Sequence, residues 1–172
     1  MKPEVRDSIN THLTLELNAW YSYYAMALWF DRIDLPGFAS FMKRQAAEEL
    51  AHGERFIDHL LERDQVPVLP ALDKPRTDYD TPREAVQVVL ESEQTVSQSI
   101  RDLYALAEKQ NDQAARIMLE WFINEQVEEE NMARALLGRL RIAGETGAGL
   151  LLLDQELAGG NVPGAEHAED GA

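Results

Sequence analysis

Four stretches of this chain repeat apolar residues at alternating spacings of three and four, and each repeat is interrupted near its middle by a carboxylate. Ile9, Leu13, Glu16, Trp20, Tyr23, Ala27 and Phe30 form the first, and Phe38, Met42, Gln45, Glu49, His52, Phe56 and His59 the second. Val89, Glu93, Val96, Ile100, Leu103 and Ala107 form the third, and Ala115, Leu119, Phe122, Gln126, Glu129, Ala133, Leu136 and Leu140 the fourth. On a helix such positions share one face. The pattern therefore predicts four amphipathic helices packed through apolar seams. Those seams carry Glu16, Glu49 with His52, Glu93, and Gln126 with Glu129 where a bundle normally holds Leu or Ile. Leaving one buried carboxylate unpaired costs roughly 3–5 kcal/mol, and four together also repel. One such Glu reads as a polar residue at the rim of a core. Four of them, one from each helix, predict convergence on cations.

At 172 residues without internal repeats, the chain suits one domain with a substantial core. Long stretches rich in Ala, Leu, Glu, Gln and Arg lack Gly and Pro, which predicts an all-α fold. The absence of Cys excludes disulfides, thiolate metal sites, iron–sulfur clusters and cysteine catalysis. The charged start, Met-Lys-Pro-Glu-Val-Arg-Asp, has no apolar core of signal-peptide length, and no apolar run approaches the ~20 residues of a membrane span. The expectation is a cytoplasmic protein with no membrane partner. A net charge of −15 argues against a nucleic-acid surface. It agrees with attraction of cations, although acidity also serves plain solubility.

Pro3 suits the first turn of a helix running to about Asp34, and Leu35-Pro36-Gly37 breaks it. A second helix, from about Gly37 to Arg63, then folds back as an antiparallel hairpin. Asp64 to Asp80 loses periodicity and carries Pro67, Pro70 and Pro75. Extended, it spans about 50 Å, enough to travel the length of a bundle. It is predicted to be a crossover that starts the third helix parallel to the second. Thr81-Pro82-Arg83-Glu84 has the form of a capping box with Pro at the first helical position. The third helix runs to about Gln110. Asn111 or Asp112 caps the fourth, which ends at about Ala143 before Gly144. Gly144 to Gly147 reads as a hinge. Ala148 to Leu157, with Leu150, Leu151, Leu152 and Leu153 in a row, predicts a short fifth helix that buries itself against neighbouring subunits. The domain is placed at residues 1–158. Residues 159–172, rich in Gly, Ala and acid, read as a disordered tail.

Four carboxylates (Glu16, Glu49, Glu93, Glu129) and one imidazole (His52) make an oxygen-rich donor set. Such a set suits iron(II) or manganese(II) and disfavours copper(I). Four carboxylates balance two dications, and Glu49 is the candidate bridge because its neighbour His52 belongs to one metal. Two iron(II) ions can each pass one electron to dioxygen, reducing it by two electrons without releasing superoxide. Tyr23, two turns beyond Glu16 on the same face, could hydrogen-bond a ligand, supply a further electron, or simply pack in the core.

Glu16, Tyr23, Glu49-x-x-His52, Glu93 and the Glu125-Gln126-x-x-Glu129 run together resemble a non-haem bacterial ferritin over about residues 4–158. The resemblance implies a ferritin-like four-helix bundle with a long crossover and a short C-terminal helix lining four-fold axes. It implies a di-iron centre with one iron on Glu16, Glu49 and His52. The second iron falls to Glu49, Glu93 and Glu129, with Gln126 beside the oxygen-binding space. It implies oxidation of iron(II) by dioxygen and storage of the ferric product in a hollow homo-oligomeric shell of 24 subunits. A third iron site is implied near Glu48, Glu125 and Glu128, one residue from the seam positions. The residues alone leave those three as a solvated acidic face.

Departures separate relatives. Bacterioferritins repeat Glu-x-x-His on the fourth helix, where this chain has Gln126 and Glu129, and bind haem through a Met after the bridging Glu, where this chain has Leu50. No haem is expected. Rubrerythrins add a Cys-based iron domain that this chain cannot build. Small ferritin-like DNA-protecting proteins build their site between subunits and lack the second pair of helical ligands. Two other readings stay open on the residues alone. One is a di-iron or di-manganese peroxidase or oxygenase on the same bundle, which would have no use for the terminal helix. The other is a non-catalytic assembly module whose buried polar groups set register.

Overall fold

The computed structural model describes residues 1–144 and 147–160. Among them are five helices and no strand: α1 (Pro3–Arg32), α2 (Pro36–Leu61), α3 (Pro82–Lys109), α4 (Gln113–Ala143) and α5 (Ala148–Ala158). Pro3, Pro36 and Pro82 each occupy a first helical turn, where a missing N–H costs nothing. Thr81 caps α3 by accepting the Glu84 amide at 3.1 Å. The Glu84 carboxylate reaches back to the Asp80 amide at 2.7 Å, one residue earlier than a strict capping box. Asp112, not Asn111, caps α4: its carboxylate accepts the Ala115 amide at 3.1 Å while Arg63, just past the end of α2, grips it with two bonds of 2.7 and 2.9 Å.

Contacts at the helix ends set the topology. Gln110 at the end of α3 donates to Glu4 at the start of α1. Val5, Ile9 and Leu13 pack with Phe56 and Leu60, with Ile100 and Leu103, and with Ala115 and Leu119. α1 is therefore antiparallel to both α2 and α3, which makes α2 and α3 parallel, as a crossover requires. The crossover runs up the flank of α1. Asn10 accepts the Val68 amide at 2.7 Å, Asn18 accepts the Asp73 amide at 2.9 Å, and Arg32 pairs with Asp78. Tyr79 closes the path with its ring edge-on to Trp29, 5.1 Å between centroids.

Two apolar clusters fill the bundle. One surrounds Phe30, Phe38, Met42, Val86, Val89 and Leu136, and the other Ile9, Leu13, Phe56, Ile100, Leu119 and Phe122. The polar seam residues lie between them. His59 leaves the predicted seam and is half-buried, with Leu60 taking the core position.

α5 adds a contact within the chain that its leucine run does not predict. It seats on its own chain: Leu150, Leu153 and Leu157 join the first apolar cluster, and the Asp154 carboxylate accepts the Phe38 amide at 2.9 Å at the start of α2. Arg44 donates to the Leu157 carbonyl at 3.0 Å. Leu151 and Leu152 point away, 55% and 59% exposed. Consecutive helical residues project about 100° apart, so one face cannot bury a run of four leucines. Residues 145 and 146 of the predicted hinge and residues 161–172 of the predicted disordered tail lie outside the described residues.

Candidate metal centre

Each bundle helix delivers its seam carboxylate to the middle of the molecule. Glu16, Glu49, Glu93 and Glu129 are all buried, as are His52, Gln126 and Tyr23. On α2 the three-residue spacing of Glu49 and His52 brings His52 Nδ1 to 3.4 Å from Glu49 Oε2, and across the seam Glu16 Oε2 lies 3.8 Å from the same nitrogen. Ligand atoms of Glu16, Glu49 and His52 all fall within 4.8 Å of one another.

The other two carboxylates are tethered. Glu93 accepts the Tyr23 hydroxyl at 2.5 Å on one oxygen and the Gln126 amide at 3.1 Å on the other. Glu129 accepts from Gln45 Nε2 at 3.3 and 3.4 Å. Tyr23 is therefore a hydrogen-bond donor to a seam carboxylate as well as a packed ring. Gln126 faces Glu93 and also reaches Ser97 at 3.4 Å.

Among the described residues five buried side-chain atoms have no hydrogen-bond partner: Arg116 Nε, away from the seam, and four in the centre, namely Glu16 Oε2, both oxygens of Glu49, and His52 Nδ1. A buried carboxylate oxygen or imidazole nitrogen without a partner costs on the order of 1–3 kcal/mol or more. Here four of the five belong to the one group whose donors converge. Burial raises every seam carboxyl: Glu16 to about 7, Glu49 and Glu93 to about 8, and Glu129 to about 10. Burial pulls His52 the other way, but Glu49 and Glu16 beside it outweigh that and carry it to about 9. Burial and the surrounding carboxylates hold the Tyr23 hydroxyl well above its usual range. Without a cation, protons would have to supply the positive charge the cluster demands. The donor set is one that a hard dication would satisfy.

A second group flanks the first. Glu48, exposed, and Glu125, half-buried, approach His52 with ligand atoms within 4.8 Å of one another. They line a cleft of about 400 Å³ between α2 and α4, with Arg55 stacked over Trp121 at 3.8 Å. Glu128 is exposed and lies outside that group, acting on Glu125 only through its charge. Glu130 is used otherwise, accepting from Ser97 and pairing with Arg134.

The sequence pattern assigns no role to two residues of the centre. His12 is fully buried and bonds Glu16 Oε1 through Nε2 at 2.7 Å, with burial holding its imidazole down to about 3. Gln45 stands in the predicted seam without a predicted role, yet it joins Glu129 to Glu48. The available signal was spacing: each precedes a seam glutamate by four residues on the same helix.

Fold and centre together define a helical bundle with a carboxylate-rich, metal-competent core, and residues 6–143 match the ferritin-like domain family. Over 158 residues the chain is 31% identical to the bacterial non-heme ferritin of Escherichia coli, covering 92% of this chain and 96% of that one. Over 143 residues it is 36% identical to ferritin BfrB of Mycobacterium tuberculosis, covering 83% and 77%. An open pore ferritin from the hyperthermophilic archaeon Archaeoglobus fulgidus superposes with a TM-score of 0.90 at 35% identity, covering 92% of this chain and 97% of that one. The chain belongs to the ferritin family.

Proposed function

We propose that this protein stores iron and is a ferroxidase, oxidising iron(II) with dioxygen at a dinuclear centre inside each subunit. Family and fold support iron storage. The observation that carries the catalytic reading is the set of four orphaned, buried ligand atoms on Glu16, Glu49 and His52.

In this reading Glu16, Glu49 and His52 hold the first iron, and Glu49, Glu93 and Glu129 the second. The hydrogen bonds favour Glu49 as the bridge. Glu16, Glu93 and Glu129 each give at least one oxygen to a protein donor, whereas Glu49 keeps both free. Two iron(II) ions give one electron each to dioxygen, and the two electrons with two protons yield hydrogen peroxide and two iron(III). Gln126 and Tyr23 hold Glu93 in place beside that reaction. Glu48 and Glu125, with Glu128 nearby, form an outer station that takes a third iron at the mouth of the cleft. The ferric product collects inside a homo-oligomeric shell of 24 subunits in the cytoplasm. No helix among the described residues is long and apolar enough to cross a membrane.

Glu49→Ala tests the centre, since both irons lose a ligand. Rapid iron(II) oxidation in air, followed by stopped-flow absorbance, should disappear while the assembled shell persists on sizing. A variant that oxidises iron(II) at a near wild-type initial rate would exclude this centre.

A further inference from the structure

His12 lies one residue removed from the metal-binding atoms, and both of its ring nitrogens are engaged. Its Nε2 is 2.7 Å from Glu16 Oε1, and its Nδ1 is 2.8 Å from the hydroxyl oxygen of Ser99 on α3. Phe56 closes against the ring, 4.7 Å between centroids. A carboxylate that ligates a metal only accepts hydrogen bonds, so Nε2 carries the ring proton and Nδ1 accepts from Ser99. Ser99 also lines a groove of about 830 Å³ between α1 and α3, together with Ser8, Thr11 and Thr95. A line of hydrogen bonds thus runs from that groove, through Ser99 and His12, to Glu16.

The consequence falls on the two oxygens of Glu16, which are no longer equivalent. Oε1 is taken by His12, while Oε2 has no partner and faces His52. A carboxylate free to turn about its last torsion can offer a metal one oxygen or both. A hydrogen bond from a ring locked on three sides removes that freedom, which is how groups behind a metal ligand set its geometry.

We infer that His12, itself held by Ser99, is a positioning residue that presents Glu16 to the first metal through Oε2 alone. This rests on the reading of Glu16, Glu49 and His52 as a metal site. It assigns the ligand mode of Glu16 to a residue that never touches the metal.

Cobalt(II), which dioxygen does not turn over at such a site as it does iron(II), tests the inference without reference to activity. Metal-free wild type, His12→Ala, His12→Gln and Ser99→Ala are titrated with cobalt(II), following affinity and the visible absorption of the bound ion. Wild type should bind two ions per chain. His12→Ala should weaken the tighter site about 10- to 100-fold and shift its absorption band. His12→Gln, whose amide N–H reaches the same oxygen, should recover most of the affinity, and Ser99→Ala should shift the band with a smaller loss. Wild-type affinity and spectrum in His12→Ala would overturn the inference. So would a Gln variant as weak as the Ala variant, because the effect would then be lost packing on Phe56. If His12→Ala fails to fold, Ser99→Ala decides: a shifted band supports the assignment and an unchanged band removes it. Wild type that binds no cobalt(II) would instead remove the centre itself, and the role of His12 with it.

Discussion

At the scale of single residues, the centre stores a conflict between charge and burial, and that conflict has a pH signature. Glu16, Glu49, Glu93 and Glu129 hold protons in the fold up to about 7, 8, 8 and 10, against 4.5 for a free glutamate. The metal-free fold therefore binds more protons than the unfolded chain across neutral and mildly basic pH. Its stability must fall as pH rises through that window. His52, raised to about 9, acts in the same direction, while His12, lowered to about 3, acts oppositely only below the ordinary histidine range. Melting of chelator-treated protein should show a lower Tm at pH 9 than at pH 6.5, and manganese(II) should recover most of the difference. A Tm that rises with pH would mean the carboxyls are not buried as described. Metal loading near pH 7 should also release protons, since each ligand must give one up, and calorimetry in buffers of differing ionisation enthalpy measures that directly. Leu50 offers no iron ligand after Glu49. Protein purified from haem-supplied cells should therefore lack a Soret band.

At the scale of elements, α5 and the bundle are joined by a contact that one methyl group would break. Gly37, in the first turn of α2, passes so close to α5 that a Cβ there would sit 1.8 Å from the Asp154 carbonyl oxygen. Backbone cannot yield as a side-chain tip does. Gly37→Ala should therefore displace α5, at a cost of about 1–3 kcal/mol. Limited proteolysis should then cut between α4 and α5 faster than in wild type, and equal cutting rates would show that α5 tolerates the shift. Deleting residues 148–172 goes further, removing Leu150, Leu153 and Leu157 from the first apolar cluster but none of the proposed ligands. That variant should form a more heat-sensitive shell that still binds two metal ions per chain. Loss of metal binding with helix content intact would show that α5 supports the centre as well as the assembly.

At the scale of the whole molecule, the two apolar clusters hold the carboxylates apart from solvent between them. A four-helix frame is needed because no single helix can bring more than its own ligands to one point. Leu151 and Leu152 remain on the outer face of α5, and Ile117, Val127 and Ile142 are also exposed on α4. Combined light scattering and iron loading in air separates a store from a di-iron enzyme. The expected result is a particle near 24 subunits that takes up far more than two irons per chain. A monomer or dimer saturating at two would leave an oxidase without a store.

The helices, their order, the parallel placement of α2 and α3, the burial of Glu16, Glu49, His52, Glu93 and Glu129, and the approach of Glu16, Glu49 and His52 to one another were legible in the chain because each depends on periodicity and the length of a connection. Seam spacing fixes a face, prolines mark first turns, and a proline-rich stretch too long for a tight turn must cross over. The partners of those glutamates depend on residues far apart in sequence, so only the tertiary structure decided them. Ser99 stands 87 residues from His12 and Tyr23 stands 70 from Glu93, and no spacing rule joins such pairs. The same holds for α5: its leucines announce burial, but which of them turns inward was decided by Asp154 reaching the Phe38 amide, 116 residues away.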